Sequence, residues 1–479
     1  MRICMIVEGS YPYIVGGVSS WVQMLISQMP EHEFIIYSIA AEEKERGNFC
    51  YTLPENVVAV EEVFLDSILH SRGGLGQVKL GREEAFMLEC LISGEGPVEA
   101  RQLKSLFYKE GLLQQKRTTA LDLFMSFDFF DVVCNVYKKK YFQLPFTDFF
   151  WTIRSILLPL LYLVEQKLPQ ADLYHSVSAG YAGVVGALAA QIQGRALLLT
   201  EHGIYARERE EEIIQSNWAG EHFKSLWIGY FYSLARMVYR EAAQVLTLFR
   251  QNAEMEGFLG CEESKIEIVP NGVNSADYCM SGEGQSDGYT VGAVVRVVPI
   301  KDILTMLRAF AIVNREERRS HFYIIGPTEE NPDYFAQCKN LQTALQLESV
   351  VFTGVADVRE FFPKLDIMVL SSISEGQPLA ILEGMAAGKP FVTTDVGACR
   401  ELLLSEEDGL GPAGMVVPML DAELMAQNIL QLLRQPELRK TYGENGCKRV
   451  KAHYERRSMI QRYRELYAQW GAKHGRDRF

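Results

Sequence analysis

No Asp-X-Asp triplet occurs anywhere in the 479 residues, and no cluster of His and Cys takes its place. The carboxylate pair that brings a metal ion to a diphosphate is therefore missing from the sequence, and so is a zinc-type ligand set. Nine cysteines make an odd count with no C-x-x-C pair among them, which argues against a disulfide framework and for reduced thiols. Positive charge is in deficit: 48 Lys and Arg stand against 61 Asp and Glu, for a net charge of -13. A broad positive field is thus excluded, and nucleic acid is not an expected partner. The apolar run after Met1-Arg2 is only Ile3 to Val7 before Glu8-Gly9, too short for a signal-peptide core, so the protein is expected to stay in the cytoplasm. The most apolar stretch, Phe146 to Val164, carries Asp148, Arg154 and Pro159. A spanning helix needs about 20 residues nearly free of charge, so this stretch reads as a buried or interfacial helix.

What is present is core-forming material, 48% hydrophobic against 23% charged, in a length that suits about three domains of roughly 150 residues. The opening residues read as a buried strand, a loop with Gly16-Gly17, and a helix with apolar residues at Val18, Trp21, Val22, Leu25 and Ile26. Strands recur at Glu33 to Ile39, Asp172 to His175, Ala196 to Thr200, Ala243 to Leu246 and Lys265 to Val269, with helical patterns between them. That alternation predicts a doubly wound parallel sheet over residues 1–280. From 61 to 169 the rhythm breaks into an aromatic-rich helical insertion. Ser281 to Gly288 is polar and glycine-rich, a linker. A second alternating half follows over 281–454, with strands at Thr290 to Val295, His321 to Ile325, Ser349 to Phe352, Asp366 to Leu370, Pro390 to Thr394 and Met415 to Val417. The last segment, 455–479, is basic and helical, and is expected to return to the first domain; Lys448 to Phe479 holds 10 Lys/Arg and 3 Asp/Glu.

Two such halves predict ligand sites at the carboxyl ends of their strands. In SSISEGQPLAILEGMAAGKP, Glu375 ends a strand, Gly376 and Gln377 turn, Pro378 and Leu379 open a helix, and Glu383 lies one turn inside. A helix start suits phosphate, and a carboxylate inside it suits vicinal hydroxyls such as those of ribose. The plainer reading is a pair of solvated helix-end carboxylates. Arg296 and Lys301 follow another strand and can meet a leaving diphosphate in place of a metal, or else form surface salt bridges with Asp302 or another acid. Gly16 and Gly17 allow backbone N–H groups to approach a ligand, or are a plain turn. His202, Tyr205 and Arg207 share one loop after a strand; a lone histidine is more often structural, and the acids Glu210, Glu211 and Glu212 read as solvated. His175 is explained equally well by packing. Gly326 and Val355 lie at strand ends beside the expected nucleotide.

The string E-G-Q-P-L-x-x-L-E-G-M-A-A-G-K-P resembles the signature of the retaining glycosyltransferases of glycosyltransferase family 4. YPYIVGGVSSWV, TEHGIYARERE, RVVPIKD and GPTEENPDY are similar, in the same order, to cytosolic exopolysaccharide-building members. The resemblance implies the GT-B fold: two Rossmann-like doubly wound α/β domains facing a cleft, a helical insertion in the first, and a C-terminal helix crossing back. It implies transfer from a UDP-sugar to a growing polysaccharide acceptor, without a cofactor or metal, alongside membrane-embedded synthase and export proteins that would hold the chain at the inner face of the membrane. Carried onto this sequence, Glu375 contacts the donor sugar, Glu383 holds the ribose, Arg296 and Lys301 bind the diphosphate and His202 faces the donor sugar. Gly16, Gly17, Gly326, Val355, Gly376, Gln377, Pro378 and Leu379 line the donor, and Tyr205 and Arg207 the acceptor side. A lipid-linked sugar transferase, a nucleotide-sugar epimerase or a silent nucleotide-binding subunit are the competing expectations.

Overall fold

The computed structural model describes the chain apart from residues 71–77, 97, 110, 111, 117, 217, 219, 279–287 and 474–479; the expected linker, except Gly288, lies outside the described residues. The chain divides into two compact units. The first takes Met1–Thr247, Asn252–Ile268 and the chain from Tyr463 on, and the second takes Leu248–Gln251 and Val269–Arg462. The second unit thus takes up the chain ahead of the boundary expected at 280.

The strands of the first unit are β1 (Arg2–Glu8), β2 (Glu33–Ala40), β3 (Val57–Phe64), the antiparallel hairpin of β4 (Tyr108–Lys109) and β5 (Leu112–Lys116), then β6 (Leu173–Ser176), β7 (Ala196–Glu201), β8 (Gln244–Thr247) and β9 (Ile266–Ile268). Outside the hairpin they form a seven-stranded sheet in the order β3-β2-β1-β6-β7-β8-β9 with every pair parallel. The central strands β6 and β7 are buried along their whole length, as a sheet covered on both faces requires. The strand β3 corrects the sequence reading, which began the helical insertion at residue 61: it is an edge strand whose Glu61-Glu62 breaks the apolar run that marks the others.

The helices are α1 (Gly17–Ser27), then α2 (Arg82–Ser93), α3 (Ala100–Phe107), α4 (Ala120–Phe124), α5 (Phe127–Val136) and α6 (Phe146–Glu165) of the insertion, then α7 (Tyr181–Gln193), α8 (Tyr205–Gln215), α9 (Lys224–Glu241) and α10 (Arg250–Phe258). In α6 the residues Phe149, Ile153, Ile156, Leu157, Leu160 and Leu161 are fully buried. Their spacing of three and four puts them on one stripe, so the most apolar stretch of the sequence is a core helix. By length and composition alone it is also the one described helix apolar enough to cross a membrane. Helix α7 is buried almost entirely and built of small residues; a Cβ on Gly186 would stand 2.8 Å from Leu197 Cδ1 of β7. That close approach is what fixes the helix to the sheet.

The second unit repeats the plan with β10 (Tyr289–Val294), β11 (Ser320–Ile325), β12 (Val350–Gly354), β13 (Ile367–Leu370), β14 (Phe391–Thr394) and β15 (Gly414–Val417), all parallel in the order β12-β11-β10-β13-β14-β15. Its helices are α11 (Ile303–Glu316), α12 (Pro332–Ala344), α13 (Leu379–Ala386), α14 (Cys399–Leu404), α15 (Ala422–Arg434) and α16 (Pro436–His453). The last helix, α17 (Arg456–Lys473), begins in the second unit, and its Tyr463 and Tyr467 are buried in the first, against His175. Each sheet reverses its winding once, between β1 and β6 and between β10 and β13. Open α/β sheets take ligands beyond the carboxyl ends of the strands at that reversal, which locates one crevice in each unit.

Candidate functional site

In the second unit the loops after β10 and β13 meet at the reversal and are sewn together. Ile373 N donates to Ile300 O at 2.8 Å, and Ser371 Oγ donates to the carbonyls of Lys301 and Asp302 at 3.0 and 2.8 Å. This brings Lys301 Nζ to 2.5 Å from Glu375 Oε1, which also accepts from Ser372 Oγ at 2.5 Å. Both side chains are largely buried, 17% and 9% exposed, so they form a positioned pair rather than two solvated ends. Neither Arg296 nor Lys301 pairs with Asp302. That residue sits at φ +46° as the N-cap of α11 and accepts from Thr305 N. Arg296 lies two residues past β10, half exposed, with Nη1 2.7 Å from Glu330 of the β11–α12 loop.

Behind Glu375 the chain is packed tightly. Gly397 has φ +50°, and a Cβ there would stand 2.2 Å from Glu375 O, so only glycine closes this turn. Gly376 O accepts from Ala398 N, and Gln377 Oε1 accepts from Asn271 N at 2.6 Å. Pro378 is the extended N-cap of α13, and no side chain caps the helix that Leu379 begins. One turn inside, Glu383 is partly buried, and burial raises its carboxyl above the ordinary 4.5 despite a hydrogen bond from Tyr278. Gly326 follows β11 directly, its N donating to Gly354 O; a Cβ there would stand 2.1 Å from Val295 O, so its place is set by packing. Val355 follows β12 and is 80% exposed.

In the first unit a cavity of about 360 Å³ opens beyond β1, β6 and β7, lined by Glu8, Ser178, His202, Tyr205, Glu208 and Arg209 among others. Glu8 ends β1 and accepts from Ala182 N at 3.1 Å and Tyr205 Oη at 3.0 Å; burial pushes its carboxyl up. Tyr205 reaches it because residue 180 is glycine: a Cβ there would lie 2.2 Å from the ring. His202 is pressed edge-on to Trp21 at 4.8 Å between centroids, its Nε2 is buried without a partner, and burial pushes its pKa down to about 4. A neutral imidazole with one unmatched nitrogen is what a polar ligand would complete. His175, by contrast, is satisfied on both sides, by Tyr467 Oη and Thr200 Oγ1 at 2.8 Å each, and is structural. Gly16 and Gly17 open α1, with nothing within 4 Å of where a Cβ would stand and no side chain on the helix cap.

Arg207 does not join this cavity. Its half-exposed side chain leans toward Glu210 at 3.7 Å, while Arg209, one helical turn after Tyr205, lines the cavity. The helix period decides this: residues 205, 208 and 209 share a face of α8, and 207 points elsewhere. Glu210, read from sequence as solvated, accepts from Tyr232 Oη at 2.6 Å. Glu8, Ser372, Tyr278, Glu330 and Arg209 were not singled out from sequence. Only Glu8, a carboxylate at the exact end of the first strand, carried a visible signal. Among the described residues no group of three His, Cys, Asp or Glu is arranged to hold a metal ion.

Comparison with known proteins bears on both units. A curated relative, the N,N'-diacetylbacillosaminyl-diphospho-undecaprenol alpha-1,3-N-acetylgalactosaminyltransferase of Campylobacter jejuni, is 26% identical over 49% of this chain and 62% of its own length. The MMP alpha-(1->4)-mannosyltransferase of Mycolicibacterium hassiacum is 24% identical over 54% of this chain and 61% of its own. The chain thus spans about three fifths of these relatives. Among solved structures, sucrose-phosphate synthase from Thermosynechococcus elongatus matches with a TM-score of 0.61 at 16% identity, covering 98% of this chain and 99% of that one. Anabaena HepE in complex with UDP matches with a TM-score of 0.62 at 16% identity, covering 98% and 100%. These likenesses show the GT-B fold. Residues 1–264 match the family described as domain of unknown function DUF3492, and residues 288–435 match glycosyl transferases group 1. The chain therefore belongs to the DUF3492 family, with a glycosyltransferase group 1 module in its second unit and the GT-B fold throughout.

Proposed function

We propose that the chain is a retaining glycosyltransferase that moves a sugar from a UDP-sugar to a growing exopolysaccharide, of the kind named PelF, working in the cytoplasm beside membrane-embedded Pel synthase and export proteins. The observation that carries this is the buried Lys301–Glu375 pair at the reversal of the second sheet, with Arg296 on the same loop. A departing nucleoside diphosphate gains negative charge, and preorganised cations stabilise it most where water is excluded. Lys301 and Arg296 supply those cations without a metal. The uncapped start of α13 offers N–H groups to phosphate, and Glu383 suits ribose hydroxyls. Glu375, held by Lys301 and Ser372, is a positioning carboxylate for the donor sugar. The β-phosphate itself takes the proton of the incoming hydroxyl on the face it leaves, which gives retention without a covalent enzyme intermediate. His202 Nε2 is the unmatched group that a sugar hydroxyl would meet.

The activity for which the Campylobacter relative is named favours a second reading, transfer to a lipid-linked sugar. One experiment tests both: purified chain is incubated with a panel of UDP-sugars, with and without EDTA, and released UDP and products are measured. UDP release that survives EDTA, with polymer as product, is expected. A glycolipid product selects the second reading, and dependence on added magnesium or manganese overturns the metal-free assignment.

A further inference from the structure

A carboxylate that grips two vicinal hydroxyls must be ionised and held in one orientation, and α13 alone provides neither for Glu383. The helix carries no basic residue, and burial raises this carboxyl above its ordinary 4.5. Its neighbours are of little help. The residues of α16 that meet α13 and the turn behind it are Gly443, Gly446 and Cys447, all uncharged. The charged groups nearby are engaged elsewhere: Arg400 with Asp395, Glu401 with Arg250 N, and Lys389 with Leu365 O.

Both needs are met from outside the helix, by the segment that follows β9. It is sewn to the loop ahead of α13, where Asn271 N donates to Gln377 Oε1 at 2.6 Å with both residues buried. Its 3-10 turn Ser275–Asp277, closed by Asn274 Nδ2 on Asp277 at 2.8 Å, packs against α13 and delivers Tyr278 to Glu383. Tyr278 is 9% exposed, its ring stands edge-on to Phe362 at 5.8 Å, and its hydroxyl donates to Glu383. Packing thus fixes the ring, and the ring fixes the donor. Arg456, the first residue of α17, is tied by its N to Val273 O at 3.0 Å and sets a positive charge beside the same carboxyl. Asp277, and Arg359 in its pair with Asp357, lie near the tyrosine as well. A phenylalanine would fill the place of Tyr278 equally well, so the hydroxyl is the part that packing does not require.

We infer that Tyr278 is the positioning residue for ribose recognition: its hydroxyl holds Glu383 in one orientation and leaves the remaining lone pairs of the carboxylate to the 2′- and 3′-hydroxyls of a nucleoside diphosphate. This rests on the proposed role of Glu383 and goes beyond it, by naming the group that makes the carboxylate selective. The test is calorimetric titration of the full chain with UDP and with 2′,3′-dideoxy-UDP between about pH 6 and 8. The parent is expected to bind UDP at least about tenfold more tightly than the dideoxy compound, the range for hydrogen bonds to a charged group. Y278F keeps the ring on Phe362 and is expected to lose at least about threefold of that ratio near pH 8 and more near pH 6, because a buried carboxyl without its donor takes up a proton more readily. In an E383Q background the same change should cost nothing further, since no carboxylate remains to be held. A parent that does not bind UDP, or binds both nucleotides alike, overturns the role of Glu383 and the inference with it. A parent that discriminates, with a Y278F that discriminates equally at every pH, overturns the inference alone, as does an equal loss in the E383Q background.

Discussion

Lys301 and Arg296 leave the same strand but start from different states. Lys301 is buried on Glu375, whereas Arg296 is half exposed on Glu330. If both meet the leaving diphosphate, Arg296→Ala and Lys301→Ala should each lower turnover by about 10²- to 10³-fold, the range for removing one preorganised donor. Glu383→Ala should weaken donor binding more than turnover, since ribose contacts do not change along the reaction. UDP-release kinetics on the three variants check both expectations. Glu330 occupies the guanidinium that the diphosphate would take, so Glu330→Gln should tighten UDP binding, by no more than about fivefold because an exposed pair is worth little. Calorimetric titration measures it. The residue types of this site were legible in the sequence, but the pairing of Lys301 with Glu375 was not, because the two are joined only when β10 and β13 become neighbours.

Helical phase and strand context decide what the motifs could not. Tyr205 and Arg207 were read as one acceptor-side loop, yet they lie in α8, whose period turns Arg207 away and brings Arg209 in. The edge strand β3 was missed because Glu61 and Glu62 interrupt its apolar run just where the insertion was taken to begin. Gly180→Ala would drive a Cβ into the Tyr205 ring and pull Tyr205 Oη from Glu8. It should lower acceptor-dependent activity by more than its melting shift explains, which paired kinetics and thermal melts would show. Beneath the same loop, Glu201 at the end of β7 accepts from Tyr205 N and Tyr239 Oη, and fully buried Glu256 of α10 lies close by. Burial first, and mutual repulsion for Glu256, raise both carboxyls above the ordinary 4.5. The folded chain then holds protons that the unfolded chain has released, so the contribution of these two groups is full below about pH 4.5 and is lost as pH rises toward the folded-state values of about 7 and about 9. Glu256→Gln should flatten that fall; melting temperatures between about pH 5 and 8 are the measurement.

Across the whole molecule the two-half plan was readable because each half repeats short apolar strands between amphipathic helices, the pattern that only a covered parallel sheet satisfies. The passage of the chain between units was less so, since nothing in composition marks Val269. If the second unit binds the nucleotide as proposed, UDP should stabilise that unit by mass action, by about 2.7 kcal/mol at a hundredfold excess over its Kd. Scanning calorimetry would show a shift of the second unit's transition. The burial of Tyr463 and Tyr467 against His175 has a consequence for synthesis. At about 5 to 20 residues per second, the ribosome needs roughly 10 to 40 s to pass from Ile268 to these tyrosines. Throughout that time the nascent first unit shows a bare patch at Trp21 and His175 that the finished protein never exposes, so chaperone capture should cluster on ribosome-bound chains of intermediate length and cease once α17 emerges.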